Sequence, residues 1–223
     1  RSPRRRALGL RGALTFPAEM ASTTLTTGIL AQLETALGAE YVRTDEPTRT
    51  TYGTDALKRG HPADIVVFPG TTADVAAVVH VCAEHRIPMV PRGGGTGYTG
   101  GAVPTRGGVV ISLERMNRIL EIDEANLIAV VEPNVITGDL QDAVEKVGLF
   151  YPPDPASLRQ SVIGGNVAEC AGGPRAFKYG TTKQYVLGLE AVLPTGEVVE
   201  TGGKVVKNVV GYDLTHLLVG SEG

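Results

Sequence analysis

The chain has 223 residues, of which 42% are apolar and 20% charged, a composition typical of a globular protein and not of a disordered one. Its 21 Lys and Arg against 24 Asp and Glu give a formal charge of −3, which argues against a nucleic-acid-binding surface. Two cysteines and four scattered histidines are too few for a disulfide framework or a clustered zinc site, so we predict no metal. No apolar run approaches the roughly 18–20 residues of a transmembrane segment.

The N-terminal stretch 1–19 is set apart from the fold. It holds five arginines and one glutamate ahead of Met20. Such a stretch is typical of a targeting peptide, or it is upstream sequence before a start at Met20, and we favour the second. We predict that 1–19 is non-structural, that 20–60 is a helical lead-in and that 61–223 is the main domain. The first residue, Arg1, and the abrupt end at Gly223 lead us to expect a fragment of a longer protein.

The hydrophobic pattern of the first half predicts a β-α-β unit. A helix over 25–38 places Leu30, Leu33 and Leu37 on one face. A strand over 64–69, a helix over 72–86 and a strand over 87–91 then follow, and we expect the two strands to be parallel.

The second half of the chain indicates hairpins instead. The predicted elements are strands at 109–112, 118–123 and 127–133, a helix at 136–147, a short helix at 164–171 and a hairpin over 185–203. This order favours two small α+β lobes over one doubly wound sheet.

Glycine is the unusual residue, since 22 of the 29 glycines lie between Gly93 and Gly223. Residues 91–104 read PRGGGTGYTGGAVP, and Gly95–Gly100 match the dinucleotide pattern GxGxxG. That pattern needs a helix to begin inside it, and Pro104 with the glycines after it excludes one. A nucleotide-hydrolase loop is excluded as well, because no GK[ST] occurs.

What remains is a glycine loop (residues 92–101) that follows a strand and lacks a helix. Successive N–H groups without side chains form concave anion-binding nests, and Arg92 adds a cation. A diphosphate suits such a loop, and the alternative is a flexible surface loop without a ligand. Residues 151–180 contain further Gly- and Pro-rich turns at which the backbone could approach a ligand, at Pro152–Pro155, Ser161–Asn166 and Ala171–Gly173.

Five ordered motifs carry a family resemblance: PRGGGTGYTGGA, YPPDPAS, IGGNVAECAGGPRAFKYG, VLGLEAVLPTGEVV and KNVVGYDLTHLLVGSEG. Together they resemble the FAD domain of the FAD-linked oxidases, the vanillyl-alcohol oxidase/p-cresol methylhydroxylase (PCMH) superfamily, and within it the glycolate oxidase FAD subunit and D-lactate dehydrogenase. The resemblance is close over 60–223 and looser over 25–60. It implies an α+β, two-lobed PCMH-type FAD-binding domain, with a small parallel β-α-β lobe and a mainly antiparallel lobe with helices.

The resemblance also implies cofactor contacts, grouped here along the chain. The diphosphate would lie against the glycine loop, the isoalloxazine and ribityl parts against the turn before the 164–171 helix and that helix, and the rest of the flavin against the following loops and the C-terminal residues. The implied residues are Arg92, Gly93, Gly94, Gly95, Thr96, Gly97, Tyr98, Gly101, Pro153, Asp154, Ser161, Gly164, Gly165, Asn166, Ala168, Gly172, Tyr179, Gly180, Val186, Glu222 and Gly223.

Two positions leave alternatives open. Cys170 stands where many relatives carry Asn, which either alters a hydrogen bond near the cofactor or is a neutral exchange. The glycine loop contains no His or Cys for covalent attachment, so we predict non-covalent FAD, with Cys170 as the exception to watch. Lys207 is either an exposed structural lysine or a residue on the substrate or cofactor side.

The function implied by the resemblance is oxidation of a D-2-hydroxy acid, of the glycolate or D-lactate class, by hydride transfer to flavin N5. The base, the metal ligands and the substrate-binding Arg would belong to a cap domain beyond this chain, so no catalytic residue is assigned. The alternative is a non-catalytic FAD-binding subunit of a glycolate oxidase-like complex. Implied partners are iron-sulfur and second FAD-domain subunits. The expected location is cytoplasmic, with peripheral membrane association through those partners left open.

Overall fold

The computed structural model describes residues 26–223, so the predicted segment 1–19 lies outside the described residues. The helices are α1 (Thr27–Leu37), α2 (Glu46–Tyr52), α3 (Thr72–Glu84), α4 (Thr137–Glu145), α5 (Ile163–Glu169), α6 (Ala176–Tyr179) and α7 (Leu214–Leu218). The strands are β1 (Val42–Arg43), β2 (Ile65–Val67), β3 (Met89–Arg92), β4 (Val109–Ser112), β5 (Ile119–Asp123), β6 (Ile128–Val131), β7 (Gly188–Val192) and β8 (Val198–Gly202).

A four-stranded sheet in the order β1-β2-β4-β3 organises the first half. Strands β2, β4 and β3 are parallel, and β1 pairs antiparallel with β2. The predicted β-α-β unit therefore has parallel strands, but β4 lies between them. All four residues of β4 are buried, which is the pattern of a central strand covered on both faces.

Helices α1 and α3 cover one face of this sheet, where Leu33, Val78 and Cys82 are fully buried. Burial in this apolar layer raises the pKa of the Cys82 thiol to about 12, so this cysteine acts as a small hydrophobic residue. The opposite face packs Val66, Val110 and Phe68 against aromatic side chains that include Tyr52.

The antiparallel part consists of two hairpins, β5–β6 and β7–β8. Among the described residues each forms its own two-stranded sheet. Helix α4 packs on the first hairpin through Leu140 and Val144, in a core shared with Val131. The mixture of parallel and antiparallel sheets with helices confirms the α+β prediction, and the antiparallel lobe is divided more finely than the sequence indicated.

Helix α2 and strand β1 were not predicted, because both are short and lack apolar periodicity. Asp45 caps α2 by accepting from the Thr48 N–H, with Oδ1 at 3.0 Å. Arg49 Nε donates to the Ala63 carbonyl at 2.6 Å, and the Tyr52 ring meets Phe68 edge-on at 5.2 Å. Residues 42–63 are thus tied to the parallel sheet.

An ion pair closes the open end of the β5–β6 hairpin. Arg118 donates from Nη2 to Glu132 Oε1 at 2.7 Å, and the Arg118 N–H donates to Glu132 Oε2 at the same distance. The Glu132 side chain is 9% exposed and that of Arg118 is 70% exposed. The hydrogen bond from the Arg118 side chain is the largest cause that lowers the pKa of Glu132 below its usual 4.5.

We expect Glu132→Gln to lower the midpoint of thermal unfolding at neutral pH, with the difference from wild type vanishing in acid. A carboxyl with a lowered pKa in the folded protein stabilises it fully above pH 4.5 and loses that effect as the pH falls through the folded value. Thermal unfolding between pH 3 and pH 7 measures this. Glu124→Gln, at the exposed turn of the same hairpin, is the control. An equal lowering of the unfolding midpoint at every pH would contradict the prediction.

Candidate functional site

The glycine loop leaves the carboxyl end of β3 and continues without a helix, as its sequence predicts. Its first glycines lie against the segment that precedes α5. A Cβ atom on Gly93 would be 2.5 Å from Val162 Cγ2, and one on Gly94 would be 2.4 Å from the Gln160 carbonyl oxygen. Both distances are far below van der Waals contact. The structure thus brings together the two glycine-rich motifs that lie about 70 residues apart in the sequence.

Arg92 points under the loop. Its Nη1 donates to the Thr54 carbonyl at 2.7 Å, and the guanidinium lies over the Tyr52 ring, 5.7 Å from the centroid. Gly95 has a φ of 62°, and a Cβ atom there would be 2.3 Å from Arg92 Nη2. Burial is the main cause that lowers the pKa of Arg92 below its usual range.

The far end of the glycine loop meets α5 and the last residues of the chain. Thr99 Oγ1 donates to Glu169 Oε1 at 3.2 Å. A Cβ atom on Gly101 would be 3.6 Å from that same Glu169 oxygen and 3.5 Å from Glu222 Oε2. Tyr98, at the tip, is 70% exposed. Two carboxylates therefore lie beside the loop that was predicted to hold an anion.

The C-terminal residues run along the end of α5. The Gly220 N–H donates to the Val167 carbonyl at 2.9 Å, and the Glu222 N–H donates to the Ala168 carbonyl at 2.8 Å. A Cβ atom on Gly223 would be 3.6 Å from the Ala168 Cβ. The structure thus places Ala168, Glu222 and Gly223 together, beside the glycine loop.

A buried polar network holds α5 against α4. Thr137 Oγ1 donates to the Ser161 carbonyl at 3.0 Å, lies 3.0 Å from Ser161 Oγ and accepts from Asn166 Nδ2 at 2.6 Å. All three residues are buried. Asn166 Nδ2 is directed to Thr137, and the contact of its amide with a cofactor stays a prediction. The N–H of Gly164, the second residue of α5, donates to the Pro133 carbonyl at 2.7 Å.

The segment after Tyr151 contacts α4 and the loop that leads into α6. Pro153 is fully buried, and its carbonyl accepts from Gln141 Nε2 at 2.8 Å. Asp154 accepts from the Arg175 N–H at 3.0 Å, and its own N–H donates to the Gly172 carbonyl at 3.0 Å. These contacts fix the turn before α6.

Tyr179, Gly180 and Val186 lie further along, between α6 and β7. Tyr179 is 37% exposed, and its carbonyl accepts from the Tyr185 hydroxyl at 2.5 Å. Gly180 has a φ of 84°, which explains a glycine at the end of α6. The Thr182 N–H donates to the Ala171 carbonyl at 2.9 Å, which ties these residues to the C-terminal end of α5.

Cys170 ends α5 in the left-handed conformation, with φ 51° and ψ 50°. Glycine and asparagine favour this position, whereas other side chains are strained there. Cys170 Sγ lies 3.2 Å from Thr181 Oγ1. The backbone conformation accounts for an Asn at this position without any cofactor contact.

Cys170→Asn is therefore expected to raise the free energy of unfolding by about 0.5–1 kcal/mol, because Asn tolerates the left-handed conformation. Urea unfolding followed by circular dichroism measures the change. Cys170→Ala keeps the strain and loses the contact to Thr181, so it should be less stable than wild type. If Asn and Ala destabilise equally, backbone strain at this position is not the cause.

A family model described as FAD binding domain matches residues 63–202, more than half of the chain. The chain belongs to the FAD-binding domain family. This assignment confirms the resemblance and the FAD prediction. The matched range of the FAD-binding domain includes the glycine loop, α5 and the three turns at Pro152–Pro155, Ser161–Asn166 and Ala171–Gly173.

Relatives of this FAD-binding domain are FAD-linked oxidases and dehydrogenases. The chain is 49% identical over 200 residues to "Glycolate oxidase subunit GlcD" of Bacillus subtilis, covering 89% of this chain and 43% of that protein. It is 48% identical over 160 residues to "D-lactate dehydrogenase" of Anaerostipes hadrus, covering 72% of this chain and 34% of that protein. The chain thus spans less than half the length of these relatives.

Solved structures with a similar fold include a flavoprotein oxidase of the predicted type. A structure of p-cresol methylhydroxylase with substrate bound superimposes with a TM-score of 0.75 at 26% identity, covering 88% of this chain and 41% of that one. The PCMH-type prediction is confirmed. Among residues 26–223 no helix is long and apolar enough to cross a membrane, and no three potential metal ligands cluster.

Sequence reasoning missed several side chains at the site. Tyr52 and Thr54 lie in a segment with little pattern, and Thr137 begins a helix whose polar residues look solvent-exposed. Glu169 sits inside a recognised motif, but its contact with Thr99 depends on the loop's path. No single local signal marks them, because each acts through residues distant in sequence.

Proposed function

We propose that this chain binds FAD non-covalently against the glycine loop, α5 and residues 220–223. We also propose that it is the flavin domain of an oxidoreductase that oxidises a D-2-hydroxy acid of the glycolate or D-lactate class. The observation that carries the cofactor site is a set of three glycines at which neither the backbone conformation nor the packing within the protein requires glycine: Gly97, Gly101 and Gly165.

None of these three glycines has a positive φ. A Cβ atom would meet nothing closer than 3.7 Å on Gly97, 3.5 Å on Gly101 and 3.6 Å on Gly165. Gly165 lies inside α5, where alanine would be favoured by about 0.5–1 kcal/mol. Close approach of a ligand to the backbone explains glycine at such positions, so the residues present fit a bound flavin.

In this proposal the chain binds and orients the cofactor. Backbone N–H groups of the glycine loop donate to the diphosphate, and α5 presents its backbone to the ring system. The bound flavin supplies the hydride acceptor. Glu169 holds the loop tip through Thr99. The base and the ligands of the substrate carboxylate are assigned, by the resemblance, to polypeptide beyond this chain.

The substrate class is supported by the names of the relatives, a glycolate oxidase subunit and D-lactate dehydrogenases. The word subunit supports the proposal that this chain works with partners, for which we propose iron-sulfur and second FAD-domain subunits. We also propose a cytoplasmic location.

Oxidation of glycolate and D-lactate by the full gene product, with dye reduction as the readout, tests the reaction.

The visible spectrum of the purified protein, followed by acid precipitation, tests the cofactor proposal. Flavin released into the supernatant as FAD is the expected result, and colour retained in the pellet would contradict non-covalent binding. A folded protein that neither carries nor quenches added FAD would contradict the cofactor site itself.

Gly165→Ala separates ligand binding from folding. We expect it to raise the free energy of unfolding by about 0.5–1 kcal/mol while FAD affinity falls at least about 100-fold, because the new methyl group would clash with nothing in the protein, its nearest neighbour being Val162 Cγ2 at 3.6 Å. Gly28→Ala in α1, where a Cβ atom would be 3.7 Å from Thr26 Oγ1, is the matched control. It should be equally stabilised and bind FAD normally. Unchanged FAD affinity in Gly165→Ala would move the flavin away from α5.

A further inference from the structure

The segment 52–56 contacts the glycine loop, although it precedes the matched family domain (63–202). We propose that Arg92 is a positioning residue that supports the glycine loop from beneath, and that residues 52–56 hold Arg92 in place. This inference rests on the proposed FAD function, since it assigns these residues a part in cofactor affinity. Arg92 then acts on the flavin through the loop and not as a ligand of the diphosphate.

The guanidinium of Arg92 links three parts of the protein. Nη1 donates to the Thr54 carbonyl at 2.7 Å, the planar group lies within cation–π distance of Tyr52, and Nη2 fills the space where Gly95 lacks a side chain. Gly95 is the first of the two glycines of the loop that have a positive φ, the other being Gly100. The position of the guanidinium therefore determines where the backbone of the turn lies.

Tyr52 is itself fixed from two directions. Its hydroxyl donates to Glu114 Oε2 at 2.6 Å, and its ring packs edge-on against Phe68 at 5.2 Å. Glu114 also accepts from Ser112 Oγ at 3.3 Å, at the end of β4. A continuous set of contacts thus runs from the central strand through Glu114 and Tyr52 to Arg92.

The same segment contacts the loop a second time, since the Ala56 N–H donates to the Gly97 carbonyl at 3.4 Å. Asp55 is buried and holds its own turn by accepting from the Leu57 and Arg59 N–H groups. The backbone that receives Arg92 and Gly97 is therefore held by hydrogen bonds within its own turn.

Acidic groups in this cluster act on the charge of Arg92. The carboxylates of Asp55 and Glu114 are the acidic groups that act on it. With its guanidinium half-buried and Nη1 directed to the Thr54 carbonyl, Arg92 is oriented toward residues 52–56.

Arg92→Lys provides the test, because it keeps the charge but loses the planar group that spans Thr54, Tyr52 and Gly95. We expect amide hydrogen exchange of residues 93–97 in the FAD-free protein to rise at least about fivefold, and the Kd for added FAD to rise about tenfold. Tyr52→Phe, which loses only the hydrogen bond to Glu114, should shift both in the same direction by about twofold to threefold. Arg106→Lys, at an exposed arginine, is the control and should change neither.

Hydrogen exchange in the FAD-free protein distinguishes a positioning role of Arg92 from a role as a direct ligand of FAD. If Arg92→Lys weakens FAD binding but leaves hydrogen exchange unchanged, Arg92 is a direct ligand and the inference is overturned. It is overturned as well if both quantities stay at the wild-type values. If the wild-type protein does not bind FAD, the proposed function fails, and the effect on affinity falls with it. Should Arg92→Lys not fold, the same two measurements on Tyr52→Phe decide the question.

Discussion

Gly94→Ala is expected to lower the free energy of unfolding by about 1–3 kcal/mol and to abolish FAD binding. The added methyl group would lie 2.4 Å from the Gln160 carbonyl oxygen, which belongs to the backbone and cannot rotate away as a side chain does. Relief therefore requires the glycine loop to separate from the segment before α5. The two loops that form the proposed cofactor site would then no longer meet.

Urea unfolding followed by circular dichroism measures the first effect, and quenching of flavin fluorescence measures the second. Gly97 lies in the same loop and has no positive φ, and a Cβ atom there would be 3.7 Å from its nearest neighbour. The free energy of unfolding of Gly97→Ala should therefore stay within about 0.5 kcal/mol of wild type. An unfolding midpoint of Gly94→Ala equal to that of Gly97→Ala would show that the loops do not pack as described.

Thr137→Val is expected to destabilise the protein by about 2–3 kcal/mol, although the two side chains have nearly the same shape. The hydroxyl of Thr137 uses its full capacity, since it donates to the Ser161 carbonyl and can accept from both Asn166 Nδ2 and Ser161 Oγ. Valine would leave the Asn166 amide without this partner at a position that is only 3% exposed. An unsatisfied buried donor costs about 1–3 kcal/mol by itself.

Chemical unfolding gives the stability change, and Thr44→Val, at an exposed position after β1, is the matched control. The double variant with Asn166→Leu tests the cause. If the unsatisfied amide accounts for the loss, the second substitution should cost less in the Thr137→Val background than in wild type. Additive costs would show that Thr137 and Asn166 do not depend on one another.

Much of the fold was predictable where the signal is local. Helix α3 and strands β3 and β4 coincide with their predicted ranges to within about two residues, because apolar periodicity over a few residues defines them. The lack of a helix after the glycine loop followed from Pro104 and the glycines around it. The family assignment followed from five ordered motifs, and the comparisons confirm it.

The elements that were not predicted are those with weak patterns. Helix α2 has seven residues, none of them buried, so its sequence carries no hydrophobic face to detect. Helix α6 has four residues and is likewise without a buried face. Their positions come from caps and from side chains that reach other elements, such as Arg49 to the Ala63 carbonyl.

The sequence alone determined which backbone segments must be free of side chains, which strands are fully apolar and which family the chain belongs to. Only the tertiary structure decided that β4 lies between β2 and β3, that Arg92 reaches Thr54, 38 residues away, and that Asn166 reaches Thr137, 29 residues away. The physical reason is that periodicity and turn preferences act over neighbouring residues. Hydrogen bonds between distant residues depend on how whole elements pack, and that packing minimises unsatisfied buried groups across the entire fold.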